Sequence, residues 1–310
     1  MNKQKLNEIL GIKYPIIQGG MANIATGEFA AAAANAGALG IIGSGGMHTD
    51  SLRENIRICK SLTDNPFGVN LMLMHPDSDA MAQVILEEGV KFVTTGAGVP
   101  KKFMAAWKEA GIFVMPVVSS AVLARQLEKE GADAIIAEGT ESGGHVGEMT
   151  TMTLVPQVAD AVDIPVIAAG GIASGRQLAA AFALGAIGAQ VGTCLLVSEE
   201  CPIHDNYKAA VLKAKDNGTI VIGRIGGTPV RMIKNQMARE YVKQEKNGAD
   251  KMELEKYTLG ALRRAVREGD TKTGSLMAGQ VSGQLNRIRP MSEIFDEMVR
   301  DCEEVYASWK

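Results

Sequence analysis

The chain has 310 residues, of which 46% are hydrophobic and 22% charged, with a formal net charge of −3. That length builds one large domain, or one large and one small. With no long basic or acidic run and only 5% aromatic residues, the composition argues against nucleic acid and anionic membrane surfaces as partners. Four scattered cysteines (Cys59, Cys194, Cys201, Cys302) form no CxxC pair. They read as reduced thiols, not a disulfide framework or a zinc site. No apolar run approaches the roughly 20 residues that span a bilayer, and the first residues, MNKQKLNEILGIKYP, lack a signal-peptide apolar core. A soluble cytoplasmic protein is expected.

Thirty-five glycines punctuate the chain, many of them just after short apolar runs. Pro15-Ile16-Ile17-Gln18 reads as a strand ending at Gly19-Gly20, followed by a helix that Thr26 caps and Gly37 stops. Leu39 to Ile42 is a second strand, ending in Gly43-Ser44-Gly45-Gly46, with a helix starting at Asp50 or Ser51. Phe67 to Met72 and the helix Asp77 to Glu88 come next, then Lys91 to Thr95 and a helix from Pro100. Ile112 to Val118 precedes a helix from Ser120, and Ala134 to Ala137 precedes a long glycine loop and a helix around Leu154 to Val162. Pro165 to Ala169 ends at Gly170-Gly171, and Gly188 to Thr193 is the eighth strand. Eight strands, each followed by a helix, predict a (β/α)8 TIM barrel of the α/β class.

The rhythm changes after about Ile203. Thr219 to Ile222 is strand-like, and Arg224 to Asp270 is charged and helical. The expected organisation is a barrel over 1–202, a smaller, mostly helical lid over 203–273, and a segment over 274–310 that packs back on the barrel. Ser292 to Trp309 reads as an amphipathic helix.

The stretch Ala134 to Thr151 carries the strongest chemical signal. A short apolar strand runs into Glu138 to Gly147, which holds four glycines, two acids, a serine and His145. Two readings stand: a catalytic loop at a strand end, or a mobile surface loop with an incidental histidine. His48, His75 and His204 lie in turns or polar connections and read as surface residues, and no acid or histidine recurs at metal-ligand spacing. Gly170-Gly171 and Gly192-Thr193 close the last two strands, where bare N–H groups suit a phosphate. Tight turns are the alternative for those glycines. Gln18 with Gly20, Met21 and Ala22, then Asn70, Thr94-Thr95 and Glu138, are expected on the same barrel face. A phosphate at one end and a polar ring at the other describes flavin mononucleotide (FMN). Asn70 as a satisfied core amide is the alternative.

In order and spacing, IIQGGMA, PFGVNLML, TTGAG, AEGTESGGHVGEMTTMTLVPQV, PVIAAGGIASG, QVGT and SLMAGQ resemble the flavin-dependent enoyl-acyl-carrier-protein reductase II family. The nitronate monooxygenases are close relatives. TTMTLVPQV and SLMAGQ lean toward the reductases. The resemblance implies FMN as cofactor and NADH or NADPH as co-substrate, with an acyl-carrier-protein or acyl-CoA thioester as partner. Hydride would reach the β-carbon of a trans-2-enoyl thioester by way of FMN. It further implies that Gly20, Met21 and Ala22 contact the ring, that Asn70, Glu138 and Gln190 face it, and that Ser142 and Gly143 meet the ribityl chain or ring edge. Gly170, Gly171, Gly192 and Thr193 would hold the phosphate, Met277, Ala278, Gly279 and Gln280 would close over the ring, and His145 would be catalytic, as a hydrogen-bond donor or proton relay. A homodimer is an open expectation. Three positions depart from the reductase pattern. Asn23 stands where an aromatic usually follows GGMA, Cys194-Leu195 stand where an Arg-aromatic pair usually follows QVGT, and the loop Gly43 to Met47 is unusual. These are expected to border the acyl or nicotinamide side.

Overall fold

The computed structural model describes residues 5–309. In chain order its strands are β1 (Ile16–Gln18), β2 (Gly40–Gly43), β3 (Phe67–Met72), β4 (Phe92–Gly96), β5 (Phe113–Val118), β6 (Ile135–Glu138), β7 (Gly144–His145), β8 (Val166–Ala169), β9 (Ala189–Val191), β10 (Thr219–Ile222) and β11 (Val230–Ile233). Eight of them form one parallel sheet in the order β1-β9-β8-β6-β5-β4-β3-β2. The ends of that sheet meet at a seam, where Ile17 bridges Leu39 and the Gln18 N–H donates to the Leu39 carbonyl at 2.9 Å. The Gln18 side chain completes the seam, accepting from the Ile41 N–H at 2.9 Å and donating to the Ile41 carbonyl at 3.2 Å. Gln18 is therefore spent on barrel closure and is not a free group at the mouth. The result is a nearly closed (β/α)8 barrel, as the strand–glycine–helix rhythm predicts.

The alternation of β-strands decides what fills it. Ile17, Ile41, Met115, Ile136 and Ile167 point inward and form a dry plug. Val69, Leu71 and Val93 point outward against helices that contribute Leu52, Ile56, Met81 and Trp107. The same alternation separates Thr94 from Thr95. Thr94 shares register with Asn70 and Met115 on the inner side, whereas Thr95 shares register with outward Leu71. Of the pair expected at the mouth, only Thr94 faces it.

The alanine-rich helix Gly27–Asn35 shows why small residues are needed in the outer layer. A Cβ on Gly40 would stand 1.9 Å from the Ala30 carbonyl oxygen, so backbone packs on backbone there. Thr26 caps this helix by accepting the Phe29 N–H. The C-terminal helix Met291–Ser308 lies on the helix Gly175–Ala183 and buries Met291, Ile294, Phe295, Met298 and Cys302. Among the described residues no helix is long and apolar enough to cross a membrane.

Beyond the barrel the chain is less helical than its charge pattern suggests. β10 and β11 form an antiparallel hairpin, and β11 also pairs with β7, giving a second sheet in the order β10-β11-β7. The hairpin packs with the helices Gln236–Lys246 and Lys251–Thr258 around Ile222, Met232, Met237, Tyr241 and Leu254, a core separate from the barrel's. Arg224 to Asp270 thus contains a strand where helix is expected. Val230 to Ile233 is too short to show a period of its own.

Candidate active site

The carboxyl ends of the barrel strands define the site. Register places Glu138 beside Ala169, and Ala169 beside Gln190, on the inner face. Asn70 comes from the opposite side of the ring and donates to Thr94 Oγ1 at 2.9 Å. Gly20 packs onto Asn70, and a Cβ there would stand 2.4 Å from the Asn70 Cβ. Met21 approaches the Gly192 position, with its Sδ 3.5 Å from where a Cβ would be, and Ala22 lies against Gly45. Gly20, Met21, Ala22, Asn70, Glu138 and Gln190 are thereby brought around one mouth.

The two glycine turns expected to hold a phosphate lie side by side. Gly170 and Gly171 have φ of +87° and +73°, a region that disfavours residues with a Cβ. Gly170 also packs on the Gly139 backbone, where a Cβ would meet the carbonyl oxygen at 2.7 Å. Gly192 is different. Its φ is −135°, and a Cβ would meet only Met21, so protein packing does not explain why the position is bare. Among the described residues the N–H groups of Gly171 and Gly192 meet no acceptor. Thr193 Oγ1 accepts the Gly279 N–H at 2.9 Å, which leaves its own proton free to donate.

The histidine loop is built from both sides. Glu141, missed by reading the sequence, turns back onto the helix Thr151–Ala159. Both its carboxylate oxygens accept the Thr151 N–H, at 3.0 and 2.9 Å. A carboxylate at a helix N-terminus is stabilised by the exposed N–H groups and the helix dipole. Its partner is ten residues away with no local signature. Ser142 and Gly143 follow, and Gly143 lies directly on the Met277–Gln280 segment. A Cβ at Gly143 would stand 2.7 Å from Ala278 Cα and 2.8 Å from Gly279 N. The Gln280 N–H donates to the Glu141 carbonyl at 2.9 Å, and the buried Tyr207 hydroxyl donates to the Met277 carbonyl at 2.8 Å. Tyr207 has no signal in sequence, because a core tyrosine and a brace read alike.

His145 sits on β7, and its backbone is paired with Val230 of β11. Its imidazole is exposed, yet burial of its inner side lowers its pKa below the usual histidine value, so at pH 7 the ring is neutral. Burial also pushes the Glu138 carboxyl up to about 7, an effect that the neighbouring Ser142 hydroxyl partly offsets. That contact is loose, since Ser142 Oγ makes no hydrogen bond within normal geometry. Ser142 Oγ, Thr140 Oγ1 and Gln190 Oε1 are buried and unpartnered, so polar atoms on β9 and on the loop after β6 await a partner the chain does not supply. A flat, heteroatom-edged ring with a phosphate tail fits these donors, acceptors and bare glycines, and FMN has that form.

The departures from the reductase pattern fall in different places. Asn23 adopts φ +61° and lies against Gly46, itself at +85°, so Asn23 and the loop Gly43 to Met47 form one packed unit beside the mouth. Cys194 and Leu195 instead sit in the main core at 2% and 0% exposure, not at the substrate side as expected. Burial raises the Cys194 thiol to about 12, which keeps it protonated and inert.

Similar proteins bear on this site. The chain is 46% identical to FabK from Thermotoga maritima, with a TM-score of 0.96, covering 99% of this chain and 98% of that one. It is 28% identical to a nitroalkane oxidase from Streptomyces ansochromogenes, with a TM-score of 0.88, covering 98% and 99%. A Mycobacterium tuberculosis relative, (3aS,4S,5R,7aS)-5-hydroxy-7a-methyl-1-oxo-octahydro-1H-indene-4-carboxyl-CoA dehydrogenase, is 33% identical over 96% of this chain and 95% of its own. The family model described as nitronate monooxygenase matches residues 3–301, and the chain belongs to that family of oxidoreductases, which are flavin enzymes.

Proposed function

We propose that the chain is an FMN-dependent reductase of trans-2-enoyl thioesters that uses NAD(P)H. The observation that carries this reading is the similarity to FabK, 46% against 28% for the nitroalkane oxidase, over almost the whole of each chain. The CoA thioester in the name of the M. tuberculosis relative supports the same substrate class. When bound, FMN supplies the hydride-transfer chemistry. The chain's own residues do the rest. Gly170, Gly171, Gly192 and Thr193 hold the phosphate, with N–H groups and a hydroxyl that lack other acceptors. Ser142 Oγ, Gln190 Oε1 and Asn70 set the plane of the ring. Glu138, titrating near 7, presents a carboxyl that donates as well as accepts. Neutral His145 offers an N–H to the thioester carbonyl, where enolate charge would develop as the β-carbon takes up hydride and be discharged as the α-carbon takes up its proton. The Met277–Gln280 segment excludes water from above.

The test is an absorbance spectrum of the purified protein, followed by NADH and NADPH oxidation with and without crotonyl-CoA or an enoyl carrier protein. Thioester-dependent oxidation is expected. His145→Ala is expected to keep the flavin spectrum and lose most turnover, by about 10²–10⁴-fold for a group that moves or polarises a proton. A fully active His145→Ala removes the residue from the chemistry. The second reading, nitronate oxidation by O2, is favoured by the family model and by a neutral His145 able to accept a proton from an acidic nitroalkane carbon. Oxygen uptake with a nitronate and no nicotinamide would establish it.

A further inference from the structure

β11 touches both halves of the roof over the mouth. At one end it pairs with β7, so that Val230 faces His145 and Arg231 faces Gly144, and the Val146 N–H donates to the Pro229 carbonyl at 3.1 Å. At its other end the Ile233 N–H donates to the Leu276 carbonyl at 2.8 Å, one residue before the segment that covers Gly143. Between these two ties stands Arg231, only 6% exposed. Its Nε donates to the Thr140 carbonyl at 2.9 Å and its Nη1 to Thr219 Oγ1 at 3.1 Å. Among the described residues no carboxylate lies within ion-pair distance of it. An arginine buried without a salt bridge is costly. What its rigid fork gives in return is geometry, because it spans from β10 to the loop after β6 through a strand that carries the partner of His145.

We propose that Arg231 is the positioning residue of this site. It closes the turn from Thr140 to Gly144 against the hairpin and thereby fixes Ser142, Gly143 and His145 over the barrel mouth. Side chains alternate on β7 and β11, so the guanidinium lies on the Gly144 side and His145 keeps its opposite face for substrate. The assignment rests on the reading that His145 acts in catalysis.

The test uses Arg231→Met and Arg231→Lys in the full chain. Hydrogen exchange at the Val146 amide is read without substrate, flavin affinity by fluorescence titration, and turnover with whichever substrate the wild type accepts. Charge-assisted hydrogen bonds of this kind correspond to at least about a tenfold change in the opening equilibrium. Val146 is expected to exchange about tenfold faster or more in Arg231→Met. kcat should fall by a similar factor with KM little changed, flavin affinity should fall as well because Ser142 shares the loosened turn, and Arg231→Lys should recover part of each. Should Arg231→Met not fold, Thr219→Val, which removes only the outer partner, is read in the same way for a smaller change of the same sign. Unchanged exchange in a folded variant, or faster exchange with unchanged kcat, overturns the assignment. If enoyl thioesters are not reduced by the wild type, the reductase reading falls, and Arg231 is then judged on exchange and on turnover with a nitronate.

Discussion

Gly143→Ala is the sharpest probe of how the roof is assembled. The added methyl would stand 2.7 Å from both Ala278 Cα and the Ala278 carbonyl carbon, and 2.8 Å from Gly279 N. All three are backbone atoms, so no side chain can rotate away, and ordinary contact needs about 3.5 Å or more. The Met277–Gln280 segment must lift by most of an ångström. Overpacking of this kind costs about 1–3 kcal/mol. Lifting also stretches Gly279 N–H to Thr193 Oγ1 and Gln280 N–H to the Glu141 carbonyl, both 2.9 Å. Each is worth about 0.5–1.5 kcal/mol, so the total is about 2–4 kcal/mol with one bond lost. Gly279→Ala presses on the same interface from the other side, with its methyl 2.6 Å from the Glu141 carbonyl oxygen. The two substitutions should therefore be sub-additive, because once the segment has lifted the second methyl finds room. Urea unfolding of the wild type, both single variants and the double variant measures this, with flavin retention read on the same samples. A Gly143→Ala protein with wild-type stability and flavin affinity would refute the close packing of these segments. Strict additivity would refute their sharing one displacement.

Tyr207→Phe removes the hydroxyl that holds the Met277 carbonyl and leaves that acceptor buried, for a loss of about 1–3 kcal/mol and faster flavin release, checked by stopped-flow dissociation. A release rate equal to wild type would dismiss Tyr207 as a brace. Glu138 titrates near 7 in the folded protein against 4.5 ordinarily, so between those values the native state holds the extra proton. The Glu138 contribution to the stability of the ligand-free protein is then fully present below about 4.5 and is lost as pH rises through 7, by at most about 3 kcal/mol. Glu138→Gln should flatten that dependence in urea midpoints compared at pH 5 and pH 8, and an unaltered slope would count against it. The His145 ring should titrate below 6.5 by NMR, and a midpoint at or above that value contradicts its partial burial. Gly40→Ala, far from the mouth, drives a methyl to 1.9 Å from the Ala30 carbonyl and should unfold the barrel or lower its melting temperature sharply.

The barrel was legible because its signals are local. Each strand is a short apolar run, most end at a glycine, and Thr26 and Ser120 cap the helices that follow them. The polar residues that the structure brings around the mouth were legible for the same reason, since Glu138 ends an apolar strand and Asn70 and Gln190 interrupt two others. What was not legible depends on alternation or on distance. Thr94 and Thr95 are adjacent and alike, and only the register with Asn70 and Leu71 tells them apart. Gln18 looks like a site amide until the barrel closes and its side chain is found bonded across the seam. Cys194 and Leu195 follow QVGT in sequence but turn into the core with the 3-10 helix Thr193–Val197. Arg231 and Thr140 are 91 positions apart, and no pattern in either segment points to the other.

Floor and roof come from different parts of the chain, and that division explains how one family serves different reactions. The floor is packed into the barrel. Gly20 rests on Asn70 and Gly170 on Gly139, with no room for a methyl at either, so the cofactor side tolerates little variation. The roof is Asn23 with Gly43 to Met47 on one side, and β7, β11 and Met277 to Gln280 on the other. The loop that carries His145 is held there by main-chain pairing to Val230, by the Val146 bond to Pro229 and by the Arg231 bond to the Thr140 carbonyl. Main-chain bonds do not depend on which side chains the strands carry. Residues beside His145 can change while the histidine keeps its place at the mouth. On the proposed reading, thioester reduction and nitronate oxidation would share the flavin and His145, and the roof would decide between them.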